Sequence, residues 1–100
     1  MDYRVVWSPR ALEDVEAIGL YISNDSPSYA GAVVKKMLDS TRILAHFPFA
    51  ARIVPEFGDE NIREKFVYSS RVIYRIQAQT VTVAAVIHGR RILDLGTRPA

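Results

Sequence analysis

The chain has 100 residues, 49% of them apolar and 24% charged, the ordinary balance of a globular protein with room for one core. It has no cysteine, which excludes a disulfide framework and thiolate-bound zinc or iron–sulfur centres, and no apolar run of the roughly 18 residues that a membrane helix needs. The net charge of +2 hides a division: Met1 to Asn61 holds 6 Lys/Arg against 9 Asp/Glu, and Ile62 to Ala100 holds 7 against 2. A basic C-terminal half suits a polyanion or an acidic partner.

Met1-Asp2-Tyr3-Arg4 runs directly into a strand-like segment and shows no signal peptide, so a cytoplasmic location is expected. Tyr3 to Trp7 is rich in β-branched and aromatic residues and reads as the first strand. Ser8-Pro9 is a capping residue followed by proline at the first helical position. Leu12, Val15, Ile18 and Ile22 follow at helical spacing, with Glu13, Asp14 and Glu16 placed to complement the helix dipole. Ser26-Pro27 repeats the signal and opens a second helix, whose apolar face carries Ala30, Val33, Val34, Met37, Leu38, Thr41, Leu44 and Ala45. The short connection makes the two an antiparallel hairpin.

Phe47 to Asn61 reads as a long irregular loop, a feature often tied to function. Three strands are expected next, at Ile62–Tyr68, Arg71–Gln77 and Thr80–His88, and Gly89 to Leu95 reads as a tail or edge strand. The order strand, two helices, three strands defines a single α+β domain over residues 1–100: a small, mainly antiparallel sheet with the helical hairpin on one face.

Strand alternation then predicts what the other face carries. A two-residue turn at Ala78-Gln79 pairs Ile76 with Val81 and Tyr74 with Val83. Continued without interruption, it sets Arg71 opposite Val86 and makes His88 a diagonal neighbour of Arg71. A three-residue turn or a bulge after Val67 is expected, because it keeps the charges of Arg63 and Lys65 out of the core and brings Ile62 and Phe66 into it. Glu64 has no satisfactory place in this register. The open face would then show Arg63, Lys65, Arg71, Arg75 and His88, with Arg90 and Arg91 just beyond and Glu56 at its rim. Such a set suits cleavage of an RNA phosphodiester: a glutamate as base, an arginine on the phosphorane, a histidine as acid. It equally suits a solvated basic surface that binds and does no chemistry. Trp7, Tyr21, Tyr68 and Tyr74 read as core residues in preference to stacking platforms. Glu56 and His88 are too few ligands for a metal, and no cofactor is implied.

Several segments resemble one family in order and spacing: Ser8-Pro9-Arg10-Ala11-Leu12-Glu13-Asp14-Val15, Tyr21-Ile22, Pro48 with Arg52, Val54-Pro55-Glu56-Phe57-Gly58, Ile62-Arg63-Glu64, Arg71 to Ile76, and Val86-Ile87-His88-Gly89-Arg90-Arg91. Over Tyr3 to Leu93 the chain resembles the RelE/ParE superfamily of bacterial type II toxin–antitoxin toxins, also called plasmid stabilisation proteins. The resemblance implies a growth-inhibiting toxin neutralised by an antitoxin from the neighbouring gene, in a complex that can be of higher order. RelE-like members cleave mRNA on the ribosome, and Glu56, Arg71 and His88 stand at what look like the catalytic positions of that branch. ParE-like members inhibit DNA gyrase and are not nucleases. The lysine-rich segment of RelE is missing, as is an aromatic residue close after His88. The reading therefore leans to ParE-like action on gyrase, with ribosome-dependent cleavage, or a degenerate toxin that only binds antitoxin, as the alternatives. Arg63, Lys65, Arg75, Arg90 and Arg91 are the expected target-binding residues.

Overall fold

The computed structural model describes residues 2–89; Arg90, Arg91 and the expected C-terminal tail lie outside them. Strand β1 (Arg4–Trp7) leads into helix α1 (Pro9–Ser23) and helix α2 (Pro27–Arg42), which ends in a 3₁₀ turn over Ile43–Ala45. Strands β2 (Arg52–Ile53), β3 (Ile62–Val67), β4 (Ser70–Gln77) and β5 (Thr80–His88) follow. They form one sheet in the order β1-β5-β4-β3-β2, antiparallel except for β1 beside β5.

Both helices begin where their capping residues stand. Ser8 Oγ accepts from the Ala11 N–H at 3.0 Å and Ser26 Oγ from the Tyr29 N–H at 3.2 Å, and proline follows each cap. The hairpin lies on one face of the sheet, which we call the inner face. Its core joins Ala11, Val15, Ile18, Val33, Met37 and Leu44 to Val72, Tyr74, Ile76, Val81, Val83 and Val86. Tyr74 is fully buried and its hydroxyl donates to the Pro48 carbonyl at 2.6 Å, tying the start of the 47–61 connection to the sheet. Burial pushes the Tyr74 hydroxyl pKa up to about 12.

The 47–61 connection forms a structured cover. It contributes the edge strand β2 and then crosses the outer face, where the fully buried Val54 joins Ile73, Ile87 and Ile62 in a second, smaller cluster. The outer face is therefore partly covered, where the sequence suggests an open one. Gly58, at φ +64, takes the left-handed conformation as this segment turns back.

Two register features differ from expectation. The β3–β4 hairpin turns at Tyr68-Ser69, with Val67 opposite Ser70, Lys65 opposite Val72 and Arg63 opposite Tyr74. Arg63 and Lys65 therefore sit on the inner face. Their charges stay satisfied because β3 lies near the sheet edge and their long stems reach backbone carbonyls. Lys65 Nζ donates to the Ser40 carbonyl, and Arg63 donates to those of Phe49, Ala51 and Glu60. Burial, aided by the neighbouring Lys36, holds the Lys65 pKa below its ordinary value. Ile62 and Phe66 fall on the outer face, where Ile62 joins the small cluster and Phe66 is exposed.

The second feature is in β5. Ile76 pairs with Val81 and Tyr74 with Val83, as the turn predicts, but Ile73 then pairs with Ala85. Ala84 is skipped, a one-residue bulge that reverses every later side chain. Helix α1 holds the bulge: Ser8 Oγ donates to the Ala84 carbonyl, and Asp14 Oδ2 accepts from the Val86 N–H at 2.9 Å. Asp14 thus serves the sheet; the first turn of α1 contains no acid to complement the dipole.

Candidate functional site

The expected constellation divides between the two faces. Glu56 and Arg71 meet on the outer face in a two-pronged ion pair, Arg71 Nη1 to Glu56 Oε2 and Nη2 to Oε1, each 3.0 Å. His88 pairs with Ser70 on the inner face, because the bulge reverses the end of β5. The predicted adjacency of His88 and Arg71 is absent for that reason. Arg63 and Lys65 also leave the face on which they were expected, and Arg75 remains there, exposed.

Arg71 has a second acidic partner. Glu64, fully buried, accepts from Arg71 Nε at 2.8 Å and also pairs with Arg71 Nη2 and Arg52 Nε. Glu64 shares the outward parity of Ile62 and Phe66, which brings it beside Arg52 across the β2–β3 pair. The result is a network of two arginines and two glutamates, formally neutral. The Arg71 side chain is only 14% exposed within it. Its hydrogen bonds to Glu56 and then to Glu64 raise the Arg71 pKa against the effect of burial. The same contact with Arg71 holds the Glu56 carboxyl below the usual range. A carboxylate of lowered pKa is a poor proton acceptor, and an arginine bound to two carboxylates has few donors left for a phosphate.

Sequence reasoning missed Glu64 and Arg52. A signal was present: in the alternation Arg63-Glu64-Lys65, the acid has the parity opposite to its basic neighbours, so either the two cations or the one anion must face the helices.

His88 lies in different surroundings. Its Nδ1 is 3.1 Å from the Oγ of the buried Ser70, and its ring lies 5.9 Å from that of Tyr21. A pocket of about 240 Å³ opens there between the inter-helix turn and the β3–β4 turn, lined in part by Tyr21, Asp25, Tyr29, Tyr68 and His88. Tyr21 is 67% and Tyr68 57% exposed, so of the three tyrosines expected in the core only Tyr74 is there. Among the described residues, no group of three or more His, Asp or Glu is arranged to hold a metal ion, and no helix is long and apolar enough to cross a membrane.

A helical hairpin on one face of a five-stranded, mostly antiparallel sheet matches solved structures of RelE/ParE toxins. Residues 5–93 match the family described as the ParE toxin of the type II toxin–antitoxin system parDE, and the chain belongs to that family. Similar solved structures agree on the fold. The chromosomal ParDE system of P. aeruginosa matches with a TM-score of 0.73 at 14% identity, over 88% of this chain and 97% of that one. A YoeB/ParE toxin from Agrobacterium tumefaciens gives 0.60 at 19%, over 85% and 96%. The RelBE2 toxin–antitoxin complex from Mycobacterium tuberculosis gives 0.58 at 20%, over 88% and 99%. No curated protein sequence matches the chain. The protein is a toxin of a type II toxin–antitoxin system, with an antitoxin as its partner.

Proposed function

We propose that this toxin acts by binding its target, without chemistry of its own, and that the target is DNA gyrase, as for ParE-like toxins. One observation carries the reading: the base, clamp and acid required for RNA cleavage do not converge. Glu56 and Arg71 are engaged with each other and with Glu64 on the outer face, and His88 is on the inner face beside Ser70. A general acid has to reach the leaving oxygen within hydrogen-bond distance, and the sheet itself lies between His88 on the inner face and the other two on the outer face. Binding falls instead to surfaces with unengaged side chains, which include the exposed Arg75 and the tyrosine-lined rim around His88. Arg90 and Arg91 extend that second surface in sequence.

The test uses the antitoxin-free protein in two reactions. Supercoiling by purified gyrase should be inhibited, and Glu56→Gln should inhibit it within about threefold of the parent. A reconstituted translation reaction should leave its mRNA intact. Discrete cuts in the A-site codon that disappear in His88→Ala would replace this reading with ribosome-dependent cleavage. Normal growth on strong induction without antitoxin would point to a degenerate toxin. Arg71→Ala is a poor probe of mechanism, because it leaves the buried Glu64 with only Arg52 for a partner.

A further inference from the structure

Arg10 is anomalous. Its side chain is 15% exposed, and its Nε and Nη2 are buried without a hydrogen-bond partner. The nearest acid, Asp14, is 3.9 Å from Nε, and its Oδ2 already accepts from the Val86 N–H. A guanidinium cannot shed its charge, so burying it with donors unmet is costly.

Beside Arg10 a groove of about 420 Å³ runs along the outer face, between the start of α1 and the Phe57 segment. Its walls are mainly apolar, from Pro9, Phe57, Ile62, Ile73, Ala84 and Ala85. Arg75 also lines it, exposed and without an ion pair among the described residues, and no acid does. The bulge at Ala84 shapes the floor, and the Ser8 hydroxyl that secures the bulge stands at one end. Two guanidiniums in an apolar trough match an extended peptide that carries a carboxylate next to a large apolar side chain. The apolar walls favour such a peptide over a nucleic-acid backbone, whose phosphates and sugars would leave them uncovered.

We propose that this groove is a docking site for the antitoxin, and that a carboxylate of an acidic-apolar antitoxin segment binds Arg10 with help from Arg75. The inference rests on the chain's having an antitoxin partner and adds where that partner is recognised and by what chemistry.

The experiment is a calorimetric titration of the antitoxin-free protein and its Arg10→Met, Arg10→Lys and Arg75→Met variants with the antitoxin encoded beside it, together with the melting temperature of each free variant. Arg10→Met should weaken binding about a hundredfold, as loss of one partner of a buried charge pair does. It should leave the melting temperature of the free protein unchanged or raise it, since an apolar residue replaces an unmet charge. Arg10→Lys should fall between, because it keeps the charge and loses the fork. Arg75→Met should cost about tenfold. Antitoxin affinity within twofold of the parent in Arg10→Met, or a free Arg10→Met protein that melts markedly lower, would overturn the groove assignment and leave the antitoxin partnership standing. A parent protein that binds no antitoxin would overturn both. A short single-stranded RNA that binds the parent and loses binding in Arg10→Met, with antitoxin affinity unchanged, would make the groove a nucleic-acid site and overturn the proposal.

Discussion

The two ends of strand β4 on the outer face treat charge in opposite ways. At Arg71 two arginines and two glutamates satisfy one another, and the strongest charges of the face are spent internally. At Arg75, two residues further along the same face, the exposed guanidinium and the half-hidden Arg10 have no such company. Clustered functional-looking residues are therefore of two kinds. A set that closes its own hydrogen bonds contributes architecture. A set with donors left over is prepared for something else. Counting arginines in the sequence cannot separate the two, because the distinction lies in which glutamate arrives.

The sharpest way to break this contrast is to open the closed network. Arg71→Ala leaves Glu64 buried with only Arg52, an exposed partner, and should cost about 3–5 kcal/mol in urea unfolding. A loss under about 1 kcal/mol would mean that Glu64 is better hydrated than its burial indicates. Asp14→Ala should cost about 2 kcal/mol by orphaning the Val86 N–H. Faster hydrogen exchange at the Val86 amide would mark the site, and an unchanged exchange rate would show that the bulge holds without Asp14.

Two smaller effects depend on pH. The raised Tyr74 pKa favours the fold fully below the ordinary tyrosine pKa of 10, and that contribution is lost as pH rises towards about 12. Tyrosinate absorbance should show one tyrosine that ionises only with cooperative alkaline unfolding, and Tyr74→Phe should remove that step. Glu56 has the opposite sign. Its lowered pKa contributes above the ordinary value of 4.5 and is lost as pH falls through the folded value. Because Glu56 is partly exposed, Glu56→Gln should cost less than about 1 kcal/mol at neutral pH and make the acid limb of the stability curve shallower. A steeper limb in the variant would contradict the assignment.

What the sequence made legible was local. Ser8-Pro9 and Ser26-Pro27 start their helices as expected, because a cap and its proline act on the next few residues. The β4–β5 pairing is right as far as Tyr74 and Val83, because the turn at Ala78-Gln79 sets it. It fails beyond Ala84 because the bulge is secured by Asp14 and Ser8, which are 72 residues from Val86 and 76 from Ala84 respectively. That one insertion moved His88 to the other face and divided the proposed triad. The place of Glu64 was hidden for a related reason. A buried carboxylate is tolerable only beside its arginines, and Arg52 reaches it from a segment that reads as a loop.

Strand β5 lies at the heart of the sheet, with β1 on one side and β4 on the other, and it is the last strand in the described chain. During synthesis β1 emerges first and waits for its sheet neighbour through some seventy residues of chain, since Arg4 pairs with Thr80 and Trp7 with Val83. The hairpin helices can coil early, but the surface on which they close lacks Val81, Val83 and Val86 until Thr80–His88 has been made. A chain stopped short of β5 therefore lacks the strand that joins β1 to β4.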